Sequence, residues 1–555
     1  MFLRRIGAAL ERERSAAFLS RWLFLRLLGI IYLIAFISLW SQIDGLVGHN
    51  GILPAADYLK AAGEQVGPER YWWLPTFCWF DASDGFLHCQ CAAGVVLSLL
   101  LLVGVAPVLD LILLWTLYLS LSTICREFLG FQWDILLLET GFLAIFLAPR
   151  QWLPKFARQT APSLTVLWLC RWLLFRLMFM SGAVKLLSAD LTWWNFTALT
   201  FHYETQPLPT WIGWYAHQLP VWFQKTSVAV MFVIELAVPF LIVCGRRARQ
   251  TAGGAVVLLM LLISLTGNYC FFNLLTLALS VLLLDDPFLL RWVPEALSAF
   301  VRTRLIPRAE SGINPMPGFE PVGQPSRLPP RASRPQESQG RDAPLAGGTP
   351  ALLPRTRLGL WKTGRTFGLT ILAALILLVS GTETTVRLFG AQNPPRPLVA
   401  LLELVSPLRT INSYGLFSVM TTNRPEIVVE GSNDRVTWLP YEFKWKPGDL
   451  QRRPAFVAPH QPRLDWQMWF AALGDYRGNP WFMNFLLRLL QGSPEVLALL
   501  EKNPFPDKPP SYLRAVLYEY HFTGLAERGA TGQWWRRERK GLYCPEISLR
   551  QNSRN

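Results

Sequence analysis

The sequence predicts a polytopic α-helical membrane protein of about nine spans with a C-terminal mixed α/β, antiparallel-sheet domain on the outer side of the membrane. Three observations carry this. The 555 residues are 52% hydrophobic and 16% charged, with mean hydropathy +0.27, too apolar for a soluble protein of this length. Apolar segments of about 17–25 residues recur through the first half, the length needed to cross a bilayer. From about residue 382 the composition turns mixed and globular, with alternating apolar and polar positions.

The expected spans lie near 22–41, 91–107, 109–125, 132–149, 163–186, 227–244, 251–267, 269–284 and 361–381. Arg4, Arg5, Arg12, Arg14 and Arg21 precede or open the first span, and no small-residue cleavage site follows it, so it reads as an uncleaved anchor. Residues 1–21 then form an inner N-terminal segment and 22–290 a membrane domain of about eight spans. With the N-terminus inside, three basic clusters also fall inside: Arg150, Lys155 and Arg158; Arg246, Arg247 and Arg249; Arg302, Arg304 and Arg308. The long loops 42–90 and 187–226, and the domain at 382–555, fall outside. The net charge of +15 follows from these clusters and does not require nucleic acid, for which no stacking or groove-reading motif is present. Residues 306–357, rich in Pro, Gly, Ser and Arg, read as a disordered inner linker.

Within the outer domain, Tyr441, Phe443 and Trp445 alternate with charged residues as a half-buried strand, with Glu426–Glu430 as its partner and Ser432-Asn433-Asp434 as the turn. Tyr518, Tyr520 and Phe522 alternate likewise. Ser493 reads as a helix N-cap with Pro494 at the first helical position, and EVLALLEKN as the helix that follows. Arg463, Asp465, Trp466, Trp469 and Phe470 form a dense aromatic and charged group. Exposed, they are candidate partner-binding anchors; buried, they are a core with one satisfied ion pair.

Ionisable residues inside the bilayer are functional-site candidates, because a lone charge at its centre costs about 2.5–3.5 kcal/mol on the insertion scale. Asp134 and Glu139 lie in the fourth span and Arg171 and Arg176 in the fifth. Counting from the inner turn between these spans matches Glu139 with Arg171 and Asp134 with Arg176 in depth; Glu235 of the sixth span also reaches the level of Arg176. The expected ion pairs clamp helix register, and on this reading Glu139→Ala partly rescues Arg171→Ala. A proton or substrate path is the functional alternative.

The segment Ser181–Trp211 gathers Lys185, Asp190, Asn195, His202, Glu204 and Gln206 among Trp193, Trp194, Phe201 and Tyr203. Lys185 is a candidate base if desolvated, or snorkels to the interface or pairs with Asp190. His202 and Glu204 are a candidate acid–base pair on a strand, but point to different faces on a helix. Pro207 and Pro209 stiffen the end of the segment. Trp193 and Trp194 suit the membrane interface, and Asn195-Phe196-Thr197 fits a glycosylation acceptor.

Of eight cysteines, Cys125, Cys170, Cys244 and Cys270 fall in or at spans as packing residues. Cys78, Cys89, Cys91 and Cys544 fall on or near the outer side, where a Cys78–Cys89 or Cys78–Cys91 bridge is open to them. No metal signature, phosphate loop or nucleophile elbow is present, and no cofactor is expected.

A set of ordered segments resembles the lipase maturation factors: NGILPA at 50–55, FQWDILLLETGFLAIFLAP at 131–149, FHYETQPLP at 201–209, ELAVPF at 235–240, LTGNYCFF at 265–272, NSYGLF at 412–417, YEFKWKPGD at 441–449, RRPAFVAPHQPRLDWQMWFAAL at 452–473 and NPF at 503–505. FHYETQPLP, with Phe201, His202, Tyr203, Glu204, Thr205, Gln206 and Pro207, is the sharpest mark. The resemblance implies a membrane protein of the endoplasmic reticulum that assists folding and assembly of secreted lipases from the lumenal side. The final residues do not form a KDEL-type retrieval signal. In a bacterial source the outer side would be periplasmic and the client need not be a lipase. A shorter likeness, GAVKLLSADLTWW at 182–194, is to the membrane region of vitamin K-dependent gamma-carboxylases, in which a lysine takes part in proton abstraction; Lys185 is the matching position. The sequence thus favours a membrane-anchored maturation factor. The alternatives are a membrane enzyme using Lys185, with His202 and Glu204, on a lipid or quinone-like substrate, and a transporter using the charges of spans four to six.

Overall fold

A computed structural model of the chain describes residues 13–153, 160–295, 357–390 and 395–549. Lys155, Arg158, Arg302, Arg304, Arg308 and the expected linker up to residue 356 lie outside them. The first half is a helical bundle: α1 (Phe18–Trp40), α2 (Asp84–Val103), α3 (Pro107–Cys125), α4 (Gln132–Leu147), α5 (Leu164–Leu187), the short α6 (Leu199–Thr205), α7 (Val221–Phe232), α8 (Arg246–Thr266) and α9 (Phe272–Val281). A long helix, α10 (Arg357–Phe389), packs on α5, and α11 (Arg396–Val405) follows it.

Seven helices among the described residues are long and apolar enough to cross a membrane, and α9 with the short helix after it makes an eighth if the pair, bent by 110°, is one span. The expected fourth span, α4, is a helix of 16 residues, shorter than these. It lies in the bundle interior, where Asp134, Glu139 and Thr140 are fully buried. The final helix runs to Phe389, past the expected boundary at 381.

The span at 221–243 is not one regular helix. Val233–Ala237 winds as a π-helix and Val238–Val243 as a 3-10 helix. Pro239 explains the change, because it has no N–H to give and its ring crowds the carbonyl four residues back, that of Glu235. Opposite this turn, α5 carries Gly182, where a Cβ would lie 2.8 Å from Leu236 Cδ2 and 3.0 Å from Glu235 Cβ. The missing side chain lets the two backbones approach.

The C-terminal region forms an antiparallel sheet in the order β2-β1-β5-β6, from β1 (Pro425–Ser432), β2 (Leu439–Pro440), β5 (Tyr512–Phe522) and β6 (Trp535–Ile547). A second pair joins β3 (Glu442–Phe443) to β4 (Leu500–Lys502). The expected partnership of 441–446 with 426–430 is therefore limited: β1 pairs with Leu439–Pro440 and along its whole length with β5. Ser493 caps its helix through Val496 N at 3.3 Å, but that helix is a single turn, Pro494–Leu497, and Leu500–Lys502 turns into strand. Two helices complete the domain: α12 (Arg463–Ala472), buried on nearly all sides, and the amphipathic α13 (Pro480–Gln491). α12 packs on β1 and on the Arg126–Leu129 turn of the bundle.

The buried charges pair differently from the depth-matched expectation. Glu139 pairs with Arg176, not Arg171. Asp134 pairs with Arg463 of the C-terminal domain, not Arg176. Arg171 turns to the opposite end of the bundle, where it meets Glu13 and donates to Leu282 O at 3.1 Å. Glu235 pairs with Lys185 at 2.7 Å. Depth along two neighbouring helices could not reveal partners supplied by third elements. The mutational expectation changes with the pairing: Glu139→Ala should not rescue Arg171→Ala, and should partly offset Arg176→Ala. Yields of monodisperse protein from the four variants check this; rescue of Arg171→Ala alone would contradict the pairing.

All eight cysteines are free, so neither the Cys78–Cys89 nor the Cys78–Cys91 bridge is formed. Buried Cys78 instead accepts from Gln90 Nε2 at 3.1 Å, and Cys244, expected as a packing residue, is exposed.

Candidate functional site: a domain joint and the cavity beneath it

Apart from Arg171, the residues singled out by the sequence gather where the C-terminal domain sits on the bundle. α6 places FHYETQPLP there. Because Leu199–Thr205 is helical, His202 and Glu204 point to different sides and do not form an acid–base pair.

Glu204 faces the C-terminal domain. It accepts from Phe522 N at 2.6 Å and contacts His521 Nδ1 at 3.0 Å. Trp469 Nε1 donates to Thr205 O at 2.9 Å. Arg424, fully buried, donates to Glu204 O at 2.6 Å, to Gln206 O, and to Pro207 O at 3.0 Å, while pairing with Glu426 at 2.8 Å. The stiff Gln206–Pro209 stretch thus presents a row of carbonyls to one guanidinium, whose fixed fork of donors suits such a task.

Two further clamps tie the domains. Arg463 grips Asp134 with two bonds, 2.7 and 2.9 Å, and donates to Phe128 O at 2.9 Å; Tyr118 donates to the same carboxylate at 2.6 Å. Glu139 accepts from Tyr414 at 2.7 Å and from Asn412 N at 2.9 Å as well as holding Arg176. Both carboxylates of α4 are therefore anchor points for the 410–415 and 463 segments. Arg463, Asp465, Trp466 and Trp469 are all buried, so they are no open partner-binding patch. Asp465 accepts from Trp445 N at 2.8 Å and Lys446 N at 2.9 Å. Its burial raises the carboxyl above the ordinary aspartate range, against the pull of these bonds.

Sequence reading missed Asn268 as a joint residue. Its amide nitrogen donates to Leu208 O at 3.0 Å and Ala455 O at 2.9 Å, and its oxygen accepts from Val457 N at 2.7 Å and Ala458 N at 2.9 Å. One side chain thereby ties its own segment, 265–272, to two others that the sequence marks, 201–209 and 452–473. Its place in LTGNYCFF was the available signal.

His202 faces the other way, into a cavity of about 380 Å³ between α5, α6, α7 and α8. Lys185 and Glu235 also line it, whereas Glu204, Asp134 and Glu139 do not. The enzyme reading needed Lys185, His202 and Glu204 in one pocket, and only the first two share it. The transporter reading needed a path joining Asp134, Glu139 and Glu235, and the three belong to separate clusters. Lys185 neither snorkels nor pairs with Asp190. Asp190 instead caps the Leu191–Trp194 turn through Thr192 N at 2.8 Å and accepts from Met420 N at 2.6 Å. Trp193 is buried, donating to Phe417 O at 3.1 Å, while Trp194 and Asn195 are exposed.

A hydrogen-bond chain fixes the protonation of His202. Gln206 Nε2 donates to Thr266 O at 2.8 Å and Tyr203 O at 3.2 Å, so its oxygen is the acceptor for Tyr269 O–H at 2.8 Å. Tyr269 has no second proton, so its oxygen accepts from His202 Nε2 at 2.9 Å, leaving Nδ1 as an acceptor. Burial, and then the charge of Lys185, push the imidazole down to about 4, so it is neutral at physiological pH. Among the described residues no group of three His, Cys, Asp or Glu side chains is placed to hold a metal ion.

The fold and the joint define a class: an integral, multi-pass membrane protein whose antiparallel-sheet domain is latched to one end of its helical bundle. Residues 19–291 match the lipase maturation factor transmembrane domain, and residues 410–545 the lipase maturation factor C-terminal domain. The chain is 41% identical over 583 residues to lipase maturation factor 2 of Gallus gallus, covering 95% of this chain and 81% of that protein. It is 41% identical to lipase maturation factor 2 of Homo sapiens over 593 residues, 96% and 83% of the two chains, and 34% identical to lipase maturation factor 1 of Bos taurus over 554 residues, 97% and 90%. No solved structure matches it. The chain belongs to the lipase maturation factor family.

Proposed function

We propose that this protein is a membrane-anchored maturation factor that assists folding and assembly of secreted lipases, the clients its relatives' names indicate, from the outer face of its membrane. The supporting observation is the joint: FHYETQPLP, LTGNYCFF, NSYGLF and the 452–473 segment, scattered in sequence, meet there and fix the outer domain on the bundle. Such a body offers a client a surface held in one orientation, at the side where a secreted chain folds. On this reading the membrane is that of the endoplasmic reticulum, with the N-terminus cytosolic and residues 395–549 lumenal.

Photo-crosslinkers on exposed outer-domain positions, in cells secreting a lipase, test the reading. Newly made lipase should be captured, and secreted lipase activity should rise when the chain is expressed in cells lacking their own maturation factor. Capture of lipids alone, with no change in secreted activity, would contradict it. A glycosylation acceptor fused after Asn555 should be modified; an unmodified acceptor on folded protein would contradict the lumenal placement.

A further inference from the structure

The cavity beneath the joint is unused by the clamps that hold the domains together. Its volume of about 380 Å³ falls in the range of small-molecule sites, and most of its wall is apolar, including Leu177, Met231, Met260 and Phe272. It opens sideways. Leu219, Phe223 and Leu262 line it and are 41%, 43% and 52% exposed. These residues lie beside and within the outer parts of the spans at 221–243 and 246–266, where the exposed surface of a spanning helix meets lipid. The two spans close on each other through Val238–Val243, while Val221–Phe232 packs instead on α6. The exposed lining residues Leu219, Phe223 and Leu262 mark the mouth.

Most of the hydroxyls within are already engaged: Ser181, Ser227, Thr266 and Thr276 donate to carbonyls of their own helices, and Tyr269 to Gln206. The Lys185–Glu235 pair at 2.7 Å neutralises itself. Neutral His202 offers Nδ1 as an acceptor. Asn273 lines the cavity with its Oδ1 buried and without a hydrogen-bond partner. A buried carbonyl without a partner carries a desolvation cost, which a donor on a ligand would recover. A carboxylate or phosphate ligand would have to displace Glu235 from Lys185 and strand a buried charge. A quinone has carbonyls but no donor to give.

We propose that this cavity binds an uncharged, hydroxyl-headed, single-chain lipid that enters from the bilayer between the spans at 221–243 and 246–266. The chain occupies the apolar wall, and the hydroxyl donates to the acceptors beside Asn273 and His202. The inference stands apart from the client reading, since it concerns what the membrane supplies and not what the outer face holds.

The test uses the full chain in lipid nanodiscs and a monoacylglycerol carrying a photoactivatable diazirine on its acyl chain. Labels should concentrate on lining positions of 177–185, 227–235 and 259–276. Unlabelled monoolein should reduce them at least fivefold, at concentrations where oleate or a quinone of equal chain length competes about tenfold less. Ile263→Trp, which fills the cavity, should lower labelling at least fivefold with unchanged elution on size exclusion. If that variant does not fold, the label map on the unaltered protein decides. Labels spread evenly over exposed positions of the same helix, such as Leu258 and Leu265, would overturn the proposal. So would stronger competition by oleate or by the quinone.

Discussion

Replacing Arg463 with alanine is expected to release the C-terminal domain and to destabilise the protein by about 3–5 kcal/mol, the range for stripping one partner from a buried ion pair. Arg463 and Asp134 are both fully buried, and the fork of two bonds at 2.7 and 2.9 Å lies among Tyr118, Phe131 and Phe128 O. Truncation leaves the Asp134 carboxylate with Tyr118 as its remaining donor, in an interior that penalises unpaired charge. The double variant Asp134→Leu with Arg463→Met removes both charges and keeps much of the volume, so it should be clearly more stable than Arg463→Ala. Thermal unfolding of the purified chain reads both, and hydrogen exchange across 454–472 shows where stability is lost. Equal stability of Arg463→Ala and the unaltered protein would show that the fork is not a clamp.

Gly267→Ala should be nearly as damaging, although alanine adds one carbon. The backbone at Gly267 is extended (φ −156°, ψ 160°), a conformation any residue adopts, so the requirement is space. A Cβ there would lie 2.0 Å from Gln206 Oε1 and 2.6 Å from Tyr269 Cε2. The clash falls on the two side chains that hold His202 in its tautomer. Overpacking costs about 1–3 kcal/mol, and each buried polar group left without a partner costs about as much again. Gln206→Ala should relieve the clash while losing its own bonds, so the double variant should be less destabilised than the sum of the singles. Additive losses, measured by thermal unfolding, would show that Gly267 and Gln206 do not share the constraint.

The helical membrane domain was legible because hydrophobic length is a local property of the chain. The outer domain was legible in kind but not in wiring. β6 was missed because Arg536–Lys540 face solvent at every position, so no alternation marks a strand that pairs with β5. The EVLALLEKN helix was overextended because a short apolar run does not distinguish helix from strand; Leu500–Lys502 pairs with Glu442–Phe443 across the fold. By position in an apolar run, the charges of α4 look like membrane features. They are joint features, and the partner of Asp134 lies 329 residues further along the chain. His202 and Glu204 stand two apart in the sequence, but their division between cavity and joint depends on helical geometry and on Phe522 and Tyr269, which no local pattern names.

The C-terminal domain and the bundle are one body, held by the contacts of Asp134, Glu139, Asn268 and Arg424, and not merely linked by the chain between them. A protease site placed within residues 391–394, between α10 and α11, tests this most directly. After complete cleavage in mild detergent, the fragments before and after the cut should co-elute as a single species on size exclusion, and should separate when the cut protein carries Arg463→Ala. Separation of the fragments from the otherwise unaltered protein would contradict the account.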